Sequence, residues 1–226
     1  LDDIELESED DLPTLLSVQG PTAEDILRSL GMPIPDAAGD HAEVPSESGG
    51  PGLRVIRRSR FGMTGFDLLV PPPVAAATWQ ALSALGARPA GFSAQERLRL
   101  RSGTPRWPVD GDGRTLVHEL GIQAERCNFS KGCYVGQEVI NRVDVKGQVT
   151  RRLTGLRLAD DAQPPHGAEV WLEDKKIGFV TTSVRASGEV LAFGILRRAA
   201  WEPGVRVEVR AGGRAVAAET ATLPFA

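Results

Sequence analysis

The feature that most constrains this chain is a change of pattern near residue 150. Beyond it the sequence reads as short alternating runs, at 153–158, 169–172, 177–183, 190–195, 205–210 and 214–220. A period of two sends successive side chains to opposite faces of a strand. Asp174-Lys175, Ser187-Gly188 and Gly212-Gly213 separate the runs, and such residues suit tight turns between antiparallel neighbours. Six short strands at close spacing predict a small antiparallel β-barrel or sandwich over 151–226. Residues 1–150 then form a separate α+β domain.

Within that first part, residues 15–19 read as a strand ahead of Gly20-Pro21. Thr22 is placed to cap a helix through Leu30, with Asp25 at the capping-box position and Gly31 as its stop. Residues 33–52 are rich in Pro, Gly, Ser and Asp and read as a loop. Residues 53–57 and 66–70 read as a hairpin turning at Gly62-Met-Thr-Gly65. Pro73 opens a helix through Leu85, closed by Gly86, with Val74, Thr78, Ala81, Leu82 and Leu85 as its inward stripe. Ser93 and Glu96 form a second capping box, heading a helix that ends near Gly103. Residues 104–135 show few helical periods, and an irregular stretch of that length is more often functional than decorative. Asp110-Gly-Asp-Gly113 lacks the later carboxylates of a calcium loop and reads as a turn.

Net charge is −4, from 26 basic and 30 acidic residues. That balance argues against direct DNA binding through a positive surface. Acidic residues crowd positions 1–11, whereas arginines gather at 57–60, 97–101, 151–152 and 197–198. These arginines read as solvated faces, one of them available to neutralise an anionic ligand tail. Cys127 and Cys133 do not make a C-x-x-C pair, and the three histidines are scattered, so no protein-only metal cage is expected. There is neither a signal peptide nor an eighteen-residue apolar run, so no membrane span is expected and a reducing cytoplasm is the expected compartment.

The segment Lys131-Gly-Cys-Tyr-Val-Gly-Gln-Glu138 carries a thiol, a cation, a phenol, an amide and a carboxylate in eight residues. Gly136 is placed to open a short helix, which sets Cys133 just before a helix N-terminus. Lys131 and the helix dipole both favour the thiolate. Tyr134 can stack on a flat ligand and Gln137 can both donate to and accept from a heterocycle edge. The plainer alternative is a small buried cysteine with no chemistry.

This segment resembles the signature of YgfZ-type folate-binding proteins, relatives of the glycine-cleavage T-protein. Val18-Gln-Gly-Pro21, Gly62-Met-Thr-Gly65 with Phe66-Asp67, Glu96-Arg-Leu-Arg-Leu-Arg-Ser-Gly103, Arg151-Arg-Leu-Thr-Gly155 and Leu223-Pro-Phe225 resemble further T-protein elements in the same order. The resemblance implies a fold of ferredoxin-like α+β repeats of the folate-binding type, followed by a C-terminal β-barrel, with tetrahydrofolate as cofactor. It also implies that the chain starts in the second repeat, without the N-terminal repeat that holds the T-protein's catalytic aspartate, and that the pterin-gripping glutamate has no counterpart. The function it implies is support of iron–sulfur cluster assembly or repair, with assembly or client proteins, tRNA-modifying enzymes among them, as partners. Cys133 and Lys131 are then the reactive pair; Tyr134, Gln137 and Glu138 shape the folate site, and Arg142 or Arg152 faces the folate carboxylates. The alternative reading is an aminomethyltransferase of the glycine-cleavage system, which needs no cysteine at position 133.

Overall fold

The structure, a computed structural model, describes residues 12–46, 52–147 and 149–225. The acidic run at 1–11 lies outside the described residues. The chain divides into two compact units, Leu1–Gly91 and Phe92–Ala226.

The first unit is an antiparallel sheet with two helices. Strands β1 (Thr14–Gln19), β2 (His41–Val44), β3 (Leu53–Arg57) and β4 (Gly65–Val70) lie in the order β1-β4-β3-β2. The β1–β4 register pairs Leu16 with Leu68 and Val18 with Phe66. That sets the apolar set of both strands on one face, where Val55 and Val70 join it. Helices α1 (Ala23–Ser29) and α2 (Pro72–Ala84) close the face with Ile26, Leu27 and Leu82. Burial of this kind contributes about 1.5–3 kcal/mol per large side chain.

Three local expectations for this unit are corrected. The stretch read as a loop contains β2, a four-residue edge strand that gives β3 a partner from His41↔Ile56 to Val44↔Leu53. Thr22 makes no side-chain cap; the Ile26 N–H instead donates to its carbonyl at 3.1 Å. In α2 only Leu82 is buried, while Val74 and Leu85 are exposed, because the helix rests on Ala75 and Leu82 alone.

In the second unit the expected strands close into a six-stranded antiparallel barrel. Strands β5 (Arg151–Leu158), β6 (Glu169–Leu172), β7 (Lys175–Ala186), β8 (Glu189–Arg197), β9 (Arg206–Ala211) and β10 (Arg214–Ala221) pair in the order β10-β5-β8-β7-β6-β9. Their inward residues form one core, including Leu156, Val170, Val180, Val190, Leu196 and Val209. The turns use left-handed backbone at Glu173, at Ser187-Gly188 and at Gly212-Gly213, the geometry that suits two-residue hairpins. The α+β arrangement with a C-terminal antiparallel barrel is therefore as the sequence led us to expect.

Helix α3 (Phe92–Arg101) packs on the barrel, its Leu100 joining Phe193, Leu191 and Phe225 in a second core. The chain end is tied to it, since the Phe225 N–H donates to the Arg101 carbonyl at 2.9 Å. The predicted capping box at Ser93 does not form: the helix already starts at Phe92, and the Glu96 carboxylate turns to Arg99 instead. Between α3 and β5 the chain carries α4 (Gln123–Arg126) and α5 (Gln137–Lys146). As expected, Gly136 precedes α5, with φ 86°.

Candidate functional site

Two polar networks organise the described residues. In the first unit, β1–β4 pairing sets Gln19 opposite Gly65 and Ser17 opposite Asp67. Asp67, only 3% exposed, accepts a forked pair from Arg60, Nε at 2.8 Å and Nη2 at 2.7 Å, and a hydroxyl from Ser17 at 2.9 Å. Gln19 donates to the Arg58 carbonyl and to Ser17, and accepts the Arg60 N–H, each at 3.0 Å. A Cβ at position 65 would fall 2.0 Å from Gln19 Oε1, so Gly65 is what lets the amide lie across the strand. The sequence elements around Gln19 and Gly65, forty-odd residues apart, thus form one structure.

In the second unit, Arg99 lies buried between Glu96 and Asp110. It donates to both Glu96 oxygens at 3.0 and 2.9 Å, to Asp110 Oδ2 at 2.5 Å and to the Thr104 carbonyl at 2.9 Å. Burial pulls the Arg99 pKa down, but the Glu96 and Asp110 carboxylates outweigh it and raise the value, keeping the guanidinium charged. Asp110 Oδ1 accepts two adjacent hydroxyls, Thr181 at 2.5 Å and Thr182 at 2.7 Å. Neighbours along a strand normally point to opposite faces. Here the β7–β8 register shifts between Val180 and Thr182, and such a bulge re-aims a side chain. The Asp110-Gly-Asp-Gly113 turn is thus more than a turn. Asp112 makes the local bonds, to the Arg114 N–H and Thr115, while Asp110 anchors the loop to the barrel.

Thr104, whose carbonyl accepts from Arg99, also lines a cleft of about 680 Å³, a size typical of small-molecule sites. Its lining combines Arg126, Arg152, Trp201, Glu125 and Thr154. Arg152 stacks on the Trp201 ring at 4.8 Å and donates to the Trp201 carbonyl at 2.7 Å, so a cation and a flat aromatic surface are held together. Arg106, pinned to Glu96 at 3.4 Å and stacked on Phe92, is turned to the network instead.

The residues anticipated for the site fall into two places. Arg152 lines the cleft. Lys131, Cys133, Tyr134, Gln137, Glu138 and Arg142 lie on the segment that leads into and along α5. Cys133 is exposed there and is not a sealed apolar residue. Lys131 Nζ sits 4.9 Å from the Tyr134 ring centre. Gln137 accepts the Tyr134 N–H at 3.3 Å, and the Tyr134 hydroxyl is buried without a partner. Glu138 and Arg142 are exposed on α5.

Sequence reasoning missed both networks and most of the cleft. Arg99 and Arg60 read as solvated charges, although the Glu96/Arg99 spacing on a helix beside Leu100 was a usable signal. Trp201 and Arg126 carried no local signal, since only folding brings them to Arg152.

Residues 151–226 match the family described as the glycine cleavage T-protein C-terminal barrel domain, and residues 1–128 match the GCVT N-terminal domain. An aminomethyltransferase of Saccharopolyspora erythraea is 32% identical over 218 residues, which is 93% of this chain and 59% of that protein. One from Halothermothrix orenii is 28% identical over 98% of this chain and 63% of its own length. The crystal structure of aminomethyltransferase T from Bartonella henselae superposes with a TM-score of 0.79 at 24% identity, covering 94% of this chain and 59% of that one; this likeness establishes the fold. The chain spans about three fifths of the length of these relatives.

These findings overturn the expected role in iron–sulfur cluster assembly, together with its assembly and client partners, and favour the aminomethyltransferase alternative. That expectation hung on eight residues around Cys133. The family matches cover residues 1–128 and 151–226, which hold the sheet, α3 and the barrel. Among the described residues no helix is long and apolar enough to cross a membrane.

Proposed function

The chain belongs to the glycine-cleavage T-protein family, and from that we propose that it binds tetrahydrofolate and serves aminomethyl transfer of the glycine-cleavage type. Tetrahydrofolate, when bound, supplies the acceptor of the one-carbon unit. The observation that carries the reading is the Arg152–Trp201 stack in the cleft. A folate has a flat heterocycle at one end and carboxylates at the other. Arg126 and Arg152 offer charge-assisted donors to the carboxylates, and the Trp201 ring backs the Arg152 guanidinium. Glu125 gives an acceptor for ring N–H groups. The stack holds Arg152 in one arrangement before a ligand arrives, which reduces the ordering cost of binding.

We further propose Cys133 and Lys131 as the reactive pair of the chain, and Tyr134, just before α5, with Gln137, Glu138 and Arg142 on it, as residues that meet the ligand. A finer placement on the YgfZ-type branch rests on the Lys131–Glu138 segment alone. The division near residue 150, with a folate-binding α+β part before it and the barrel after it, belongs to the same reading.

The test is a titration of the purified protein with tetrahydrofolate, followed by tryptophan fluorescence, beside an assay for methylene-tetrahydrofolate formed from an aminomethyl-loaded lipoyl carrier. Saturable quenching and product formation are expected. Arg152→Ala should weaken binding about ten- to a hundred-fold, the worth of a charged hydrogen bond. Product formation without saturable binding, or an Arg152→Ala protein that binds as wild type, would remove the cleft from the mechanism.

A further inference from the structure

We propose that the stretch from Gly121 to Gly147 is a strap that closes over the cleft when a ligand with a flat heterocycle and an anionic tail enters it. This rests on the folate reading of the cleft.

The strap is loosely held along its length and firmly held just outside it. No described side chain from 121 to 147 is fully buried, and α5 lends none to a core. Val135 is 103% exposed, Val145 85% and Val139 53%. Apolar surface of this kind gains free energy on any closure that removes it from water. Outside the strap, Arg151 grips Glu119 through Nε at 2.9 Å, and the Leu153 N–H donates to the Glu119 carbonyl at 2.6 Å. The strap thus has the low side-chain burial of segments that open locally.

Both ends are built as pivots. Gly121 has φ 73° and Gly147 φ 63°, and a Cβ at either would meet nothing within 4 Å. A glycine at each end takes up new φ/ψ values more freely than a residue with a side chain, as hinge positions do. Gly121, Ile122, Glu125 and Arg126 already line the cleft. Rotation about the first pivot thus moves the Cys133–Gln137 segment with respect to the cleft mouth.

Polar atoms in and beside the strap lack partners in its present position. Gln123 Oε1, the Tyr134 hydroxyl and both His118 ring nitrogens are buried without a hydrogen bond. His118 Nε2 lies 3.6 Å from Asp144 Oδ1 of α5, an ion-pair contact longer than a hydrogen bond. Native proteins rarely leave such atoms unpaired, and each takes a partner from water, from another state or from a ligand. Closure gives the Tyr134 hydroxyl a ligand edge to bond and shields the Cys133 thiol.

Cys133 is the reporter. In a Cys127→Ser background, its alkylation by iodoacetamide is timed with and without saturating 5-formyltetrahydrofolate, with binding read by tryptophan fluorescence in the same sample. Closure to about nine-tenths predicts roughly tenfold slower labelling, together with slower amide exchange in α5. A Gly147→Val variant, strained at its pivot, should bind the folate and lose the protection. Binding with unchanged labelling and exchange overturns the strap and leaves the folate reading intact. Protection kept in full by Gly147→Val also overturns it, because the ligand's own bulk would then cover the thiol. No binding at all overturns both.

Discussion

Asp110 has no exposed surface and accepts four donors, namely Arg99, the Arg106 N–H and the hydroxyls of Thr181 and Thr182. Its charge is tolerable only because Arg99 lies against it, and Arg99 in turn is 3% exposed. Without Asp110, Arg99 keeps the Glu96 carboxylate, but the Arg106 N–H and the Thr181 and Thr182 hydroxyls lose their common acceptor. Asp110→Ala should therefore cost about 1–3 kcal/mol or more, read as a lowered midpoint in chemical denaturation. A loss inside experimental error would show that water reaches Arg99 and that the network is not the anchor described. Two positions on, Asp112 is exposed and behaves differently. The Arg114 N–H, and then Thr115, hold its carboxyl below its ordinary value of 3.8. A depressed carboxylate stabilises the fold in full above that ordinary value and loses its contribution as pH falls through the folded-state value. The stability gap between wild type and Asp112→Ala should thus be constant near neutrality and close below about pH 3.8. A gap that persists at lower pH would assign the effect to loop shape and not to charge. The turn around Asp112 was legible beforehand, but the role of Asp110 was not, because a charged residue in a sequence reads as solvated until its partners, distant along the chain, are known.

Among the elements, the barrel was the most legible. Strands β9 and β10 alternate, β8 is a near-continuous apolar run, β5 is buried from Leu153 to Leu156, and the hairpins are marked by Ser187-Gly188 and Gly212-Gly213, so local signals and the final pairing agree. The two helices of the first unit were found, yet the inward stripe of α2 held only at Leu82 and in part at Thr78 and Ala81, since a helix without charges gives periodicity little contrast. Strand β2 escaped notice because four residues in a Pro- and Gly-rich stretch become a strand only by completing the edge of β3. What could not be read at all was the β7 bulge, which turns Thr181 and Thr182 together onto Asp110. Near it, Gly178 lies so close to β8 that a Cβ would sit 2.1 Å from the Ile195 carbonyl oxygen. That atom belongs to the ladder and cannot yield without parting the strands. Gly178→Ala should destabilise the barrel by about 1–3 kcal/mol or more, measured as a fall in denaturation midpoint. Gly188→Ala, at a hairpin with open space around it, tests backbone strain alone and should cost less. Equal losses at the two sites would mean that the close approach at Gly178 is not what the glycine is for.

At the scale of the molecule, the change of sequence pattern near 150 and the compact units of the fold do not fall at the same residue, and the difference has a physical origin. Alternation reports where strands begin, but a folding unit ends where few bonds cross. The barrel has its own core, from Leu156 to Ala218. A second core, however, joins Leu100 of α3 to Phe193 and Phe225, and Asp110 and Glu119 bind barrel residues from before the boundary. Fragments separate the two descriptions. Residues 92–226 should unfold in one cooperative transition, as a compact unit does. Residues 151–226 should keep barrel secondary structure through their own core but lose Leu100 packing, worth about 1.5–3 kcal/mol for a leucine, and leave Thr181 without its carboxylate. Their midpoint should fall accordingly in urea or heat, followed by circular dichroism. If 151–226 proves as stable as 92–226, α3 and the Asp110 loop ride on the barrel without supporting it. The Arg99 network would then have to be explained by the shape it gives the cleft.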